Sequence, residues 1–215
     1  MSPDRFAPYG DLAAVLLPHA VWADDASHDL AHIHRVWRHA RAIQAEDGGD
    51  LRVVAAAVIM HDSVALEKNS PLRHTSSRLA AEKASGVLRD LGWDEAGIAA
   101  VAHAIEAHSF SARVEPLTLE ARIVQDADRL DSLGAMGVAR CFHVAGRLGR
   151  LLYDPADPRA DRRPLDEQAF TIDHFQTKLL SLASGFRTEG GRRRAAEGHA
   201  RLERFFAEFL EEAGV

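Results

Sequence analysis

Cysteine is almost missing from this chain: Cys141 stands alone among 215 residues. A single thiol excludes an internal disulfide framework and fits a reducing compartment. Long apolar runs are missing as well. None approaches the ~20 residues that a helix needs to cross a bilayer, so no membrane partner is expected. The opening Met1-Ser2-Pro3-Asp4-Arg5 lacks the basic-then-apolar form of a secretory leader, and the expected location is cytoplasmic. Nor is there a surplus of positive charge. With 26 Lys and Arg against 32 Asp and Glu the formal charge is −6. That argues against a nucleic-acid-binding surface but leaves room for a local basic pocket of the kind a phosphate ester needs. No Gly-x-x-x-x-Gly-Lys-Ser/Thr loop occurs, which excludes a P-loop nucleotide site. Internal repeats and low-complexity segments are absent too.

Strand signals are nearly absent, and apolar residues recur at helical spacing almost throughout. The expected class is all-α, in a chain long enough for one domain with a sizeable core. Leu12, Val15, Leu16 and Val21 predict a first helix that Pro18 kinks or ends. Ser27 is the expected N-cap of a second, with Leu30, Ile33, Val36, Trp37, Ala40 and Ile43 on one face. Asp47-Gly48-Gly49-Asp50 ends it and caps a buried helix from Leu51 to Met60. A loop is expected from Ser63 to Arg73, then helices at Thr75–Leu91, Asp94–Ala107, Thr118–Leu133 and Gly134–Leu152. Tyr153 to Pro164 reads as a polar, proline-rich loop of the kind that often forms a lid. Two more helices are expected, at Asp173–Ser184 and Glu189–Glu212, and Arg192-Arg193-Arg194 reads as a solvated face of the last.

The stretch Met60-His61-Asp62, closing the apolar run Val53 to Ile59, carries the most chemical information. Burying a carboxylate beside an imidazole is costly unless the charge is compensated, and a bound cation is the usual compensation. Further ligands are available upstream, at His28, His32 and His34, and downstream, at Asp126, Asp128 and Asp131. One His, a His-Asp pair and one distant Asp make a mixed nitrogen and oxygen set. Such a set suits Mn, Fe, Co, Ni, Zn or Mg, with positions open for water and substrate. His28 and His32 share a helix face, and only one needs to be a ligand. Consecutive His61 and Asp62 diverge by about 100° on a helix, so both reach one ion only if the helix ends there. Asp126 and Asp128 point to opposite sides of one helix. The plainer reading is a C-terminal histidine stabilised by the helix dipole, with Asp62 capping the loop.

These residues resemble the HD-domain metal-dependent phosphohydrolases. That family's pattern is a His with Val four residues on, a His-Asp pair ending a hydrophobic helix, and an Asp in an Ala-Asp-x-Leu context. Here these are His32 with Val36, His61-Asp62, and Asp128 within Ala127-Asp128-Arg129-Leu130. A narrower resemblance, to small bacterial HD hydrolases of the nucleotide pyrophosphohydrolase kind, adds His108-Ser109-Phe110-Ser111, Asp131 with Gly134, Ala139-Arg140, and His174-Phe175 followed by Lys178-Leu179-Leu180. The resemblance implies an HD-domain helical bundle over 1–215, with a core over about 27–140, a lid-like loop over about 153–164 and C-terminal helices over about 173–212. It selects His32, His61, Asp62 and Asp128 as metal ligands, with His61 and Asp62 catalytic. Asp126 or Asp131 is then free to accept from a ligand imidazole or to orient Arg129.

The cofactor implied is a divalent metal: Mn, Ni, Co, Fe or Mg, with Mn favoured. The partner is a small-molecule phosphate ester or nucleotide, and a homodimer is left open. Lys178, Lys68, Arg129, His74, His103 and His108 are the expected substrate contacts, since cationic side chains pair with phosphate through charge-assisted hydrogen bonds. Arg73 and Arg140 read as surface residues. Histidines between the His-Asp pair and the last Asp also permit a second metal. The expected reaction is attack of metal-activated water on the phosphorus of a (deoxy)nucleoside triphosphate. The alternatives are a nucleoside monophosphatase, a cyclic-nucleotide phosphodiesterase, and a non-catalytic module that keeps the metal for stability.

Overall fold

In a computed structural model, which describes residues 3–20, 29–64, 72–109 and 112–214, the chain folds as helices. Among the described residues the only extended pairing is an isolated parallel bridge between Leu151 and Phe170. The all-α expectation therefore holds. The chain divides into two compact units, one comprising 1–128 with 187–190, the other 129–186 with 191–215.

The first unit begins with a 3-10 turn, Pro3–Phe6, and helix α1, Gly10–Leu16. Pro18 stands in the short 3-10 turn Leu17–His19 that ends it. Helix α2 runs from Leu30 to Asp47. Its N-cap is Asp29, whose Oδ1 accepts from His32 N at 2.9 Å. That corrects the expectation of Ser27, which lies outside the described residues: Asp29 supplies the acceptor that the orphan N–H groups of a first turn need. Gly48, at φ +85°, ends α2 in the left-handed region that favours glycine.

Helix α3, Leu51–Met60, is capped by Asp50, which accepts from Arg52 N and Val53 N. Every residue from Val53 to Met60 is buried. A helix apolar all round must be surrounded, and α1, α2 and α5 (Glu95–His108) pack against it. Its three consecutive alanines let those neighbours approach closely. Helix α4, Ser76–Asp90, pairs with α5, and Asp94 caps α5 by accepting from Gly97 N at 2.7 Å. Helix α6, Leu119–Leu130, buries Ala121, Ile123, Val124, Ala127 and Leu130.

The second unit holds α7 (Gly134–Arg147), α8 (Asp173–Thr177), a 3-10 turn (Leu179–Gly185) and most of α9 (Glu189–Glu212). Phe175 is fully buried, stacked on Phe205 and Phe206 with ring centroids 5.6 and 5.9 Å away. Two expected helices are shorter than predicted. Helix α7 stops at Arg147, two residues before Gly149 at φ +69°. The helix expected over Asp173–Ser184 breaks at Lys178, whose φ of −142° no helix accommodates.

The segment from Tyr153 to Pro164 is tied down by its own side chains. Asp157 accepts from Asp161 N and Arg162 N at 3.1 and 2.8 Å. Arg163 forks onto both oxygens of fully buried Asp173, its Nη2 lying 2.9 Å from Oδ1. The same guanidinium lies over the Phe170 ring, 4.4 Å from its centroid. Arg140 is likewise not a surface residue in role: half-buried, it pairs with buried Asp131 at 2.6 Å.

Candidate metal centre

Four helices deliver the site. His32 is the third residue of α2, held where the Asp29 cap fixes that turn. His61 is the C-cap of α3 and Asp62 lies in the turn beyond it. The helix end lets these consecutive side chains converge, which a continuing helix would forbid. Asp128 comes from the last turn of α6 and His108 from the last residue of α5.

Nε2 of His32 lies 3.2 Å from Nε2 of His61, 3.6 Å from Oδ2 of Asp62 and 3.4 Å from Oδ1 of Asp128. Nε2 of His61 lies 3.2 Å from Oδ2 of Asp62 and 3.9 Å from Oδ1 of Asp128. Donors at ~2.1 Å from one cation, at tetrahedral or octahedral angles, lie roughly 3.0–3.4 Å from one another. The observed set is a slightly open version of that cage. Both imidazoles are buried, whereas the Asp62 and Asp128 side chains keep 28% and 27% of their surface, so the open side is the carboxylate side.

The chemistry of the donors decides whether a cation fits. Val58 O accepts from Nδ1 of His61 at 2.7 Å. A carbonyl only accepts, so Nδ1 carries hydrogen and the neutral ring presents a bare Nε2. That lone pair faces carboxylate oxygens, which are acceptors too. Acceptors gathered this closely need a positive charge between them, either a proton or a metal ion. Titration carries the same message. Burial would lower the pKa of His61, but Asp62 and then Asp128 outweigh it and raise the value. Burial would raise Asp62 and Asp128, yet His61 and His32 hold both carboxyls well below their usual range.

His108 joins this group. Its Nδ1 is bound to Ile105 O at 2.5 Å, the same three-residue step back that orients His61. Its Nε2 lies 3.8 Å from Oδ1 of Asp62, and its ring stands edge-on to His61 at 4.9 Å. Burial, reinforced by His61, keeps its pKa low, so it stands neutral with Nε2 as acceptor. His61, Asp62 and His108 form a second set with metal-holding spacing beside His32, His61 and Asp128. The sequence placed His108 among substrate contacts; its position at a helix end, shared with His61, was the available signal for this closer role.

Other expected site residues sit elsewhere. Nε2 of His103 accepts from Leu117 N at 2.9 Å and so holds the chain leading into α6, a different partner from the substrate expected for it. His74 is exposed in the turn before α4. Arg129 donates to Gly185 O at 2.8 Å. Lys178 is exposed at the end of α8, in the second unit. Lys68 lies outside the described residues. Asp126, on the opposite side of α6 from Asp128, accepts from Arg187 N, Thr188 N and Thr188 Oγ1.

The HD domain pattern matches residues 29–133, which contain all five converging residues. The uncharacterized protein YpgQ of Bacillus subtilis is 34% identical over 185 residues, covering 84% of this chain and 82% of YpgQ. The chain belongs to the HD-domain family. Solved structures agree. An HD-superfamily hydrolase from Bacillus thuringiensis superposes with a TM-score of 0.71 at 29% identity, covering 100% of both chains. B. subtilis YpgQ in complex with ADP superposes with a TM-score of 0.71 at 29% identity, covering 94% of this chain and 96% of that one. The HD-domain assignment makes this chain a metal-dependent phosphohydrolase, and the buried His/Asp cluster is where the family's divalent metal fits.

Proposed function

We propose that this HD-domain protein hydrolyses nucleoside triphosphates, with deoxynucleotides preferred, using one Mn2+ held by His32, His61, Asp62 and Asp128. The convergence of the four donors, with the exposed edge formed by two carboxylates, carries this reading. The ADP bound in the related YpgQ structure supports a nucleotide as ligand. A bound divalent cation lowers the pKa of a water and polarises a phosphoryl oxygen.

The chain's own residues do the rest. Val58 O keeps the His61 ring turned so that Nε2 faces the centre. Asp62 and Asp128 present the solvent-facing oxygens on the side from which water and substrate approach, and His61 and Asp62 are the proposed catalytic pair. Lys178 and Lys68 neutralise charge spread over the non-bridging oxygens. Arg129, His74 and His108 are the remaining contacts proposed for the substrate.

A second reading rests on one observation, the placement of His108 beside Asp62. Under it the centre holds two cations, with His108 a ligand of the second.

A panel of ribo- and deoxynucleoside mono-, di-, tri- and cyclic phosphates, assayed with Mn2+, Ni2+, Co2+, Fe2+ and Mg2+, tests the proposal. Release of pyrophosphate or orthophosphate from triphosphates is the expected outcome. Turnover confined to monophosphates or cyclic nucleotides would replace it, and metal content per chain decides between one cation and two.

A further inference from the structure

The second unit contains a polar cluster that the metal centre does not use. Oε2 of Glu167 accepts from Oγ1 of Thr177 at 2.6 Å and from Nδ1 of His174 at 2.7 Å. The Thr177 hydroxyl first, and His174 second, hold the Glu167 carboxyl below its usual range. With Nδ1 committed to a carboxylate, the orientation of the ring is set and Nε2 is turned away from Glu167. The His174 side chain keeps 23% of its surface in solvent.

Helix α8 is anchored beneath this ring. Asp173 is fully buried and holds both Arg163 and the N–H of Asp166, the latter at 2.7 Å. Phe175 is buried between two aromatic rings of α9. The helix cannot rotate without breaking these contacts. Lys178 N donates to His174 O at 3.1 Å, so Lys178 ends the turn that carries His174, with a non-helical φ of −142°.

An exposed ion pair contributes little to stability and needs no second group to brace it. The bracing uses only Nδ1; Nε2 of His174 has no hydrogen-bond partner among the described residues, which leaves it to a ligand. A cation is the wrong ligand here. The neighbouring Lys178 is itself cationic, and no metal-holding group among the described residues includes His174. An anion fits both side chains. A histidine ring carrying both hydrogens donates from Nε2 as well as from Nδ1, and a phosphoryl oxygen accepts from such a donor.

We infer that His174, oriented by Glu167, donates from Nε2 to a phosphoryl oxygen of a phosphate-bearing ligand, with Lys178, the residue that ends α8, supplying charge. His174 is then a binding residue and Glu167 a positioning residue. The choice of phosphate as ligand class rests on the function proposed above.

The test uses the full chain loaded with Mg2+ and imidodiphosphate as the probe, a pyrophosphate that cannot be hydrolysed. Long-range nitrogen–proton spectra report each histidine ring, and His174 is assigned from the signal lost in His174→Gln. The expected result is a shift of the His174 Nε2 signal on saturation. Calorimetry should give a Kd raised roughly ten- to a hundred-fold in His174→Ala, as loss of one charge-assisted hydrogen bond implies. The Kd of Glu167→Ala should lie between, and His174→Gln, which keeps an N–H donor, should recover part of the loss. If imidodiphosphate binds while the His174 signal stays still and both alanine variants keep the wild-type Kd, the cluster is a structural brace and the inference is overturned. If neither imidodiphosphate nor ATP binds the Mg2+-loaded wild type at all, the nucleotide reading itself falls and takes this inference with it.

Discussion

Asp126 and Thr188, 62 positions apart, are joined twice: the backbone N–H and the hydroxyl of Thr188 each lie 2.7 Å from Oδ2 of Asp126. Arg187 N adds a third donor, 3.0 Å from both carboxylate oxygens. All of this happens at a side chain with no solvent exposure. Asp126 stands two residues before Asp128 on α6, so the two carboxylates face opposite ways. One is directed at the histidines, the other at the chain entering α9. Asp47 extends the second role by accepting from Glu189 N and Gly190 N at 3.1 and 2.9 Å, which suits the positive N-terminal end of a helix.

Asp126→Asn should therefore destabilise the fold by about 2–3 kcal/mol, because an amide has one acceptor oxygen for three buried donors and adds donors of its own. Urea unfolding with unchanged m-value would read this as a shift in midpoint. A midpoint within error of wild type would mean that the donors are satisfied without Asp126.

Asp62→Ala should bring hydrolysis down to background and lower metal content while the far-ultraviolet dichroism stays native. Asp62→Asn, which keeps the shape and loses the charge, should do nearly the same. The side chain is only about three-quarters buried and sits in a turn outside α3, so its removal opens no core cavity. Full activity in either variant would sink the four-ligand centre.

The metal-free protein should lose stability as the pH rises. His61 has a folded pKa above its ordinary 6.5, so its proton stabilises the fold below about pH 6.5. That contribution disappears as the pH passes through the raised value. Asp62 and Asp128 behave oppositely. Held below their ordinary 3.8, they stabilise above about pH 4 and lose that contribution on acidification. Thermal melts of metal-stripped protein between about pH 6 and pH 9 should show a falling Tm that added Mn2+ abolishes, since the cation takes the place of the proton. A flat Tm in stripped protein would contradict the electrostatic account.

Removing one partner of the Arg163–Asp173 pair should cost roughly 3–5 kcal/mol, the penalty for leaving a buried charge alone. Arg163→Met is the gentler probe, since it preserves much of the packing over Phe170. Limited trypsin digestion gives a second readout. Arg159 and Arg162 are exposed, and the Arg163–Pro164 bond resists trypsin, so wild type should be nicked at the first two only, and Arg163→Met much faster. Protection at Arg159 and Arg162 by a non-hydrolysable nucleotide with metal would restore a lid function to this segment. Equal cleavage with and without ligand would leave it a fixed wall of the second unit.

How much of this was legible in the sequence follows the range of the forces involved. The apolar periodicity of α2, the cap at Asp50, the fully apolar α3 and the helix break that lets His61 and Asp62 converge are all set by residues within one or two turns of one another. Such signals survive in a linear reading. His32, His61, Asp62 and Asp128 were singled out by their resemblance to the HD-domain pattern rather than by local geometry, and the fold brings their side chains together. Tertiary packing alone decided that His108 closes the centre, that His103 turns to Leu117, that Asp126 serves α9 and that Asp131 holds Arg140. Each of these polar groups could have been satisfied by several partners. Only the crossing of helices brings one of them within 3 Å, and a buried polar atom takes whichever partner the packing delivers, because going without is costly.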